Sequence, residues 1–212
     1  MLNLLYELKR HLELHRLNNA MLNHVAPEPS ELVSVDHNHA TWRIQVPGQC
    51  DRFMSLRSGA GNEFYVVHVD TEALYRTWLN CSPAIRGIRC CDCILRENMP
   101  NDYKYHWAVD GFSHGIDNPV PLAFVGAWMD DDLAKIGFTN GITRTFWLIA
   151  NRVPTFPIEV HGKRSADLLH SLVGVGSGPV QASSILKDCQ CPMCTITPAE
   201  LENLKALMAT TH

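Results

Sequence analysis

The stretch that most restricts the fold is Lys135–Val160, KIGFTNGITRTFWLIANRVPTFPIEV. Ile136, Gly137 and Phe138 read as a short apolar strand, Thr139-Asn140-Gly141 as a turn, and Ile142 to about Asn151 as a helix. Phe156–Val160, bounded by prolines, reads as a returning strand. A polar, glycine-containing turn that opens a helix is a ready anion site. The first-turn N–H groups lack partners there, and the helix dipole is positive. Steps of about 100° per residue put Ile142, Phe146, Ile149 and Ala150 on one core-facing stripe and leave Arg144 off it. An arginine at a helix start opposes the dipole unless an anion compensates. Arg144 is therefore the candidate phosphate clamp, since a planar guanidinium grips phosphate by two hydrogen bonds. Gly141 permits close backbone approach, and Thr143 and Thr145 offer hydroxyls. The alternative is a pairing of Arg144 with Asp130 or Asp132.

Further segments flank this unit. Residues 2–24 read as a helix with Leu4, Leu5, Leu8, Leu12 and Met21 near one face. That face packs on the domain, or it docks on a partner or an anionic membrane surface. APEPSELVSVDHNH (26–39) reads as a linker. Thr41–Val46 alternates like a half-buried strand, residues 58–62 make a turn, and Phe64–Val69 reads as a central strand. Asp70 or Thr71 caps a short helix, Glu72–Leu79. His68, inside that strand, is a packed, hydrogen-bonded histidine rather than a ligand.

Residues 80–117 lack clear periodicity and hold a cysteine cluster. Gly111, Ser113, His114 and Gly115 form either a binding loop or an ordinary turn. Pro119–Val125 reads as one buried strand. The run Asp130-Asp131-Asp132 is a solvated hairpin tip or, alternatively, a metal contact. Ser165 caps a helix over Ala166–Val173, Val173–Pro179 reads as a flexible linker, and 198–209 as a C-terminal helix. The organisation expected is an amphipathic helix over 1–25, a linker over 26–40, a mixed α+β core over 41–175, and a linker, cysteine-rich tail and terminal helix over 176–212.

Composition narrows the function classes. The chain has 212 residues, 46% hydrophobic, and a formal net charge of −4, so a broadly basic nucleic-acid wrap is not expected. No apolar run approaches the roughly 20 residues that span a bilayer, and Glu7, Lys9 and Arg10 interrupt any secretory h-region. A cytoplasmic protein is expected, peripheral at the inner membrane at most. Eight cysteines in that compartment point to free thiols or metal ligands. Cys90-x-x-Cys93 and Cys191-x-x-Cys194 could together make a tetrathiolate zinc site. Unliganded thiols are the alternative.

The residues also carry a resemblance. TNGITRTFW followed by TFPIEV resembles the G-x-x-R box of the ParB/sulfiredoxin superfamily, and NPVPLAFV resembles the strand before it. RFMSLR, VVHVDTEALYRTWL, NPVPLA and FTNGITRTFWL together are similar to the plasmid fertility-inhibition factor family, which includes Osa-like and FiwA-like proteins, over about residues 42–173. The resemblance implies a small mixed sheet with flanking helices and a nucleotide pocket. Gly141 and Arg144 would hold nucleotide phosphates, beside Asn140, Thr143 and Thr145. It implies a protein that blocks conjugative or type IV secretion-mediated transfer at the coupling-protein stage, with ATP or another nucleoside triphosphate, and Mg²⁺, as cofactors. ATPase or DNase activity would make Arg144 the charge-stabilising catalytic residue, with His114, Asp130 and Asp132 as candidate base or metal contacts. The partners implied are the coupling protein or a relaxase–DNA complex. Non-catalytic inhibition by surface contact is the rival. Ile142 stands where sulfiredoxins keep their cysteine, which excludes sulfinic-acid reduction. Only Gly126–Lys135 separates the upstream strand from the box, which suits a hairpin, and Trp147 replaces the usual small residue.

Overall fold

Phe64–Asp70 (β4) is an inner strand of the larger sheet, one in from its edge. β-Branched and aromatic residues bury it from both faces, as a central strand requires. It pairs antiparallel with β8 (Thr155–His161) and with the short β9 (Val180–Gln181). β8 runs parallel to β6 (Ala123–Asp130), and β6 pairs antiparallel with β7 (Leu133–Asn140). The five-stranded order is β7-β6-β8-β4-β9. A second sheet has the order β1-β2-β3-β5, from Glu31–Val35, His39–Ile44, Arg52–Arg57 and Val120–Pro121. The computed structural model describes residues 2–36, 39–57, 63–82 and 93–187. The mixed α+β class holds, with two small mixed sheets where the sequence suggested one. Among the described residues, no helix is long and apolar enough to cross a membrane.

Helices α2 (Thr71–Cys81) and α5 (Lys163–Val173) pack on the five-stranded sheet and on each other. Asp70 caps α2: its Oδ1 accepts from the Glu72 and Ala73 N–H groups at 2.9 and 3.1 Å. Helix α4 (Ile142–Ala150) lies against α2, against α3 (Tyr105–Ser113) and against a 3-10 turn at Arg96–Asn101. Thr145 to Ile149 of α4 are all buried. Its apolar stripe is therefore wider than the sequence face suggested.

Several elements differ from expectation for identifiable reasons. Helix α1 (Leu2–Met21) forms, but its leucine stripe faces outward: Leu4, Leu5, Leu8 and Leu12 are 76, 54, 56 and 51% exposed. Its inner side carries Arg10 and Leu17 instead. The Arg10 Nη2 donates to the carbonyls of Leu79, Asn80 and Ser82 at 2.8, 3.1 and 3.0 Å. A guanidinium that caps the carbonyl end of α2 fixes the azimuth of α1, and the leucines follow. Residues 31–35, read as linker, pair as β1.

Further along, the aperiodic 80–117 contains α3, which is short enough that Ala108 and Phe112 alone mark its buried side. Pro119–Val125 is two strands in different sheets, broken at Leu122, whose N–H still donates to Ser55 O at 2.9 Å. Ser165 does not cap α5. Gly162 takes that place, and Ser165 Oγ accepts from the Ala127 N–H at 2.8 Å. The stretch read as a flexible linker is docked: Gly174 bridges Val69, and the Val175 N–H donates to His68 O at 2.9 Å. β9 and helix α6 (Ala182–Lys187) then continue the packed body. The 58–62 turn and the 198–209 helix lie outside the described residues.

Candidate functional site

The hairpin β6–β7 leads straight into the opening turn. β7 continues to Asn140, and Gly141 then caps α4 with a φ of 92° and no side-chain hydrogen bond to the helix. Glycine is required here on two counts. The φ is left-handed, and a Cβ would stand 2.6 Å from the Ala123 Cβ and 2.7 Å from its Cα. Packing of the turn on β6 therefore already explains the glycine.

Arg144 is likewise held by the fold. Its Nη1 donates to the carbonyls of Pro121 and Leu122 at 2.5 and 3.0 Å, at the point where the chain leaves one sheet for the other. These two carbonyls supply the partial negative charge that an arginine at a helix start needs. The expected alternative pairing with Asp130 or Asp132 does not occur. Both aspartates sit at the hairpin tip, eight strand residues from Asn140, roughly 25 Å at ~3.3 Å per residue. That distance sets both aspartates apart from the turn at Gly141. Thr145 is fully buried, and its hydroxyl donates to Gly141 O at 3.0 Å, inside the helix.

The remaining expected residues converge. Asn140, Gly141, Thr143, Arg144 and His114 line one pocket of about 500 Å³. Its opposite wall is α3, through Lys104, Trp107, Ala108 and Gly111, and its rim is Asn118–Pro121. Gly111 and Ser113, expected on a loop, belong to α3 itself. Trp147 explains why α3 stands where it does. Its ring stacks on Phe112 with centroids 4.3 Å apart, and Asn151 Nδ2 donates to the Tyr105 hydroxyl at 3.4 Å. Burial pushes that phenol above its ordinary range, so it stays protonated.

Sequence reading missed Lys104 and Trp107. Trp107 is 61% exposed although it lines the pocket, and the Lys104 ammonium lies 5.7 Å from its ring centroid. The available signal was the helical spacing of Lys104, Trp107, Ala108 and Gly111. Among the described residues, the lining carries Lys104, Arg144 and His114 and no carboxylate. In a chain of net charge −4 that is a local inversion of sign.

The donor set decides what the pocket can hold. Two cations and an imidazole suit an anion better than a bare Mg²⁺, which takes oxygen ligands; the Asp110 carboxylate lies 3.9 Å from His114 Nε2, just outside the lining. Of the four cysteines expected at a zinc site, Cys93 lies among the described residues. Cys93 is buried, burial pushes its thiol well above the ordinary range, and its Sγ donates to Ile94 O at 3.6 Å. Cys90, Cys191 and Cys194 lie outside the described residues. His68 behaves as a packed histidine: its Nδ1 accepts from the Ser30 N–H at 3.1 Å, and burial lowers its pKa from 6.5 to about 4.

The profile of the family described as "Plasmid Fertility inhibition factor" matches residues 66–174. Protein osa of Shigella flexneri is 35% identical over 181 residues, covering 84% of this chain and 93% of that protein. The chain belongs to the plasmid fertility inhibition factor family. The crystal structure of Oncogenic Suppression Activity Protein, a plasmid fertility inhibition factor in its gold(I) cyanide derivative, has the same architecture. The TM-score is 0.78 at 34% identity, over 88% of this chain and 97% of that one. The family match spans both walls of the pocket, from α3 through α4, and leaves α1 outside it.

Proposed function

We propose that this plasmid fertility inhibition factor binds a nucleotide in the α3–α4 pocket and uses the bound form to block conjugative or type IV secretion-mediated transfer at the coupling protein or relaxase–DNA complex. The observation that carries this reading is the lining: Lys104, Arg144 and His114 converge at a helix start with no side-chain cap, and no carboxylate is among the described lining residues. The α4 N-terminus directs N–H groups and the positive end of its dipole toward an anion. Trp107 offers a face on which a base can stack, an interaction of about 1–3 kcal/mol. A volume of about 500 Å³ lies within the usual ligand range.

ATP hydrolysis or DNA cleavage would add a Mg²⁺ ion held largely by the substrate's own phosphates. The proposal is one of binding, with His114 a candidate base among the described lining residues. Isothermal titration calorimetry with ATP tests it. Lys104→Ala should weaken binding about tenfold, or ~1.4 kcal/mol, with an unchanged melting temperature. No heat with any nucleoside triphosphate would refute it.

The exposed Leu4, Leu5, Leu8 and Leu12 of α1 favour a second reading, inhibition by surface contact alone. A transfer assay separates the two. Lys104→Ala with Trp107→Ala abolishes inhibition in the first reading and leaves it intact in the second.

A further inference from the structure

Two exposed features of this chain are complementary in charge and in apolar content. One is a groove of about 570 Å³ between α1, the Arg96–Asn101 turn and the carboxyl end of α4. Leu12, Leu95, Pro100 and Ala150 give it apolar walls. Its cations are Lys9, Arg16, Arg96 and Arg152, against the carboxylates of Glu13 and Glu97. Lys9 is engaged by Glu97 at 2.8 Å, and Arg96 by Glu72 at 2.7 Å. Arg16 is 79% exposed and only 4.0 Å from Glu13. Arg152 is exposed and projects from a backbone with φ of 53° just past the end of α4. Leu8, Leu5 and Leu4 extend the apolar wall along α1 beyond Leu12, all outward-facing.

The other feature is the tip of the β6–β7 hairpin. Trp128 to Leu133 are consecutively exposed, and the sequence is WMDDDL. Trp128, Met129 and Leu133 are 46, 52 and 43% exposed. Trp128 is not loose: it lies so close over Gly137 that a Cβ there would come within 2.8 Å of the indole. The tip is thus a prepositioned aromatic and aliphatic anchor surrounding Asp130, Asp131 and Asp132, and rigid aromatics are what interfaces use as anchors.

We propose that the protein self-associates head to tail, with the hairpin tip of one copy seated in the α1–α4 groove of the next. The aspartates meet Arg16 and Arg152, while Met129, Leu133 and the Trp128 edge cover the leucines of α1. An acidic apolar hairpin fits a concave cationic groove, whereas a flat lipid surface does not reach its floor. Two unlike patches make the contact heterologous. The tip and the α3–α4 pocket lie at opposite ends of β7, so the pocket stays open in the assembly. The proposal is independent of nucleotide binding.

Sedimentation velocity of the full chain over a concentration series tests this. Reversible self-association is expected, weakening as salt rises. Asp131→Lys with Asp132→Lys should weaken it at least tenfold, and so should Arg16→Glu with Arg152→Glu. An equimolar mixture of the two variants should regain association, because the intact groove of one accepts the intact tip of the other. Circular dichroism checks folding. Should a reversal variant fail it, Asp132→Asn and Arg152→Gln replace the reversals in the same design. A monomer at every concentration overturns the proposal. So does association that either variant leaves intact, or a mixture that stays monomeric. If α1 variants abolish transfer inhibition while the chain remains monomeric, the groove serves a different partner and self-association is wrong.

Discussion

The two ends of α4 sit in opposite electrostatic settings. At its amino end, Lys104, Arg144 and His114 face the pocket without a carboxylate among the described lining residues. At its carboxyl end, cations also gather, but Glu97, Glu13 and Glu72 stand beside Lys9, Arg16 and Arg96. Cations at a helix carboxyl end complement the dipole and are expected on any surface. Cations at the amino end oppose it, and they persist only where something negative compensates. At Arg144 the carbonyls of Pro121 and Leu122 supply part of that compensation. Lys104 reaches the same space from another helix and receives none of it from these carbonyls. The contrast shows how one arginine can be a structural tie while its neighbourhood is still built for an anion.

The strongest way to break this comparison is at Gly141. Gly141→Ala places a Cβ against Ala123 at a φ of 92°. It should cost about 3 kcal/mol or more, read from urea unfolding. A loss below about 1 kcal/mol would mean that the turn is not packed as described. Next is Arg144→Ala, which removes two charge-assisted bonds to carbonyls and should cost about 2 kcal/mol. It should weaken nucleotide binding as well. If stability is unchanged, the tie to the sheet crossover is not made in solution.

His68, part-buried in β4, gives a pH-dependent control. Its folded pKa of about 4 lies below the ordinary 6.5. The unfolded chain binds the extra proton first, so stability is full above pH 6.5 and falls as pH drops toward 4. The loss is of order 2 kcal/mol after allowance for partial exposure. Glu159, whose carboxyl is pushed up by burial, works in the opposite direction. The informative quantity is therefore the difference between wild type and His68→Asn across that window. A flat difference contradicts the buried neutral imidazole.

Smaller still is Trp107→Ala. It should weaken ATP about tenfold, equal to ~1.4 kcal/mol, with pyrophosphate affinity unchanged. Equal loss for both ligands would show that the indole shapes the pocket instead of stacking a base. The smallest effect is at the hairpin tip: Asp130→Asn should leave ATP affinity unchanged in the same titration. A marked change there would put the tip back beside the pocket.

The sequence alone determined the strand–turn–helix–strand unit around Gly141. It also determined the hairpin before that unit, a helix cap at Asp70 or Thr71, and the packed His68. Each of these is a local pattern, set by residues within a few positions of one another. The family resemblance, too, was legible in contiguous motifs. Only the tertiary structure decided the rest. It turned the leucines of α1 outward, because a single buried arginine chose its partner on α2, a residue 69 positions away. It split Pro119–Val125 between two sheets, which no one-dimensional hydrophobic run can signal. It brought Lys104 and Trp107 opposite Arg144 through the Phe112–Trp147 stack, a contact across two helices. It also separated Asp130 and Asp132 from Arg144, because a hairpin carries its tip away from its base. Periodicity reports which face of an element is apolar. Which neighbour that face meets is decided by long-range pairing and by where buried charges find their carbonyls.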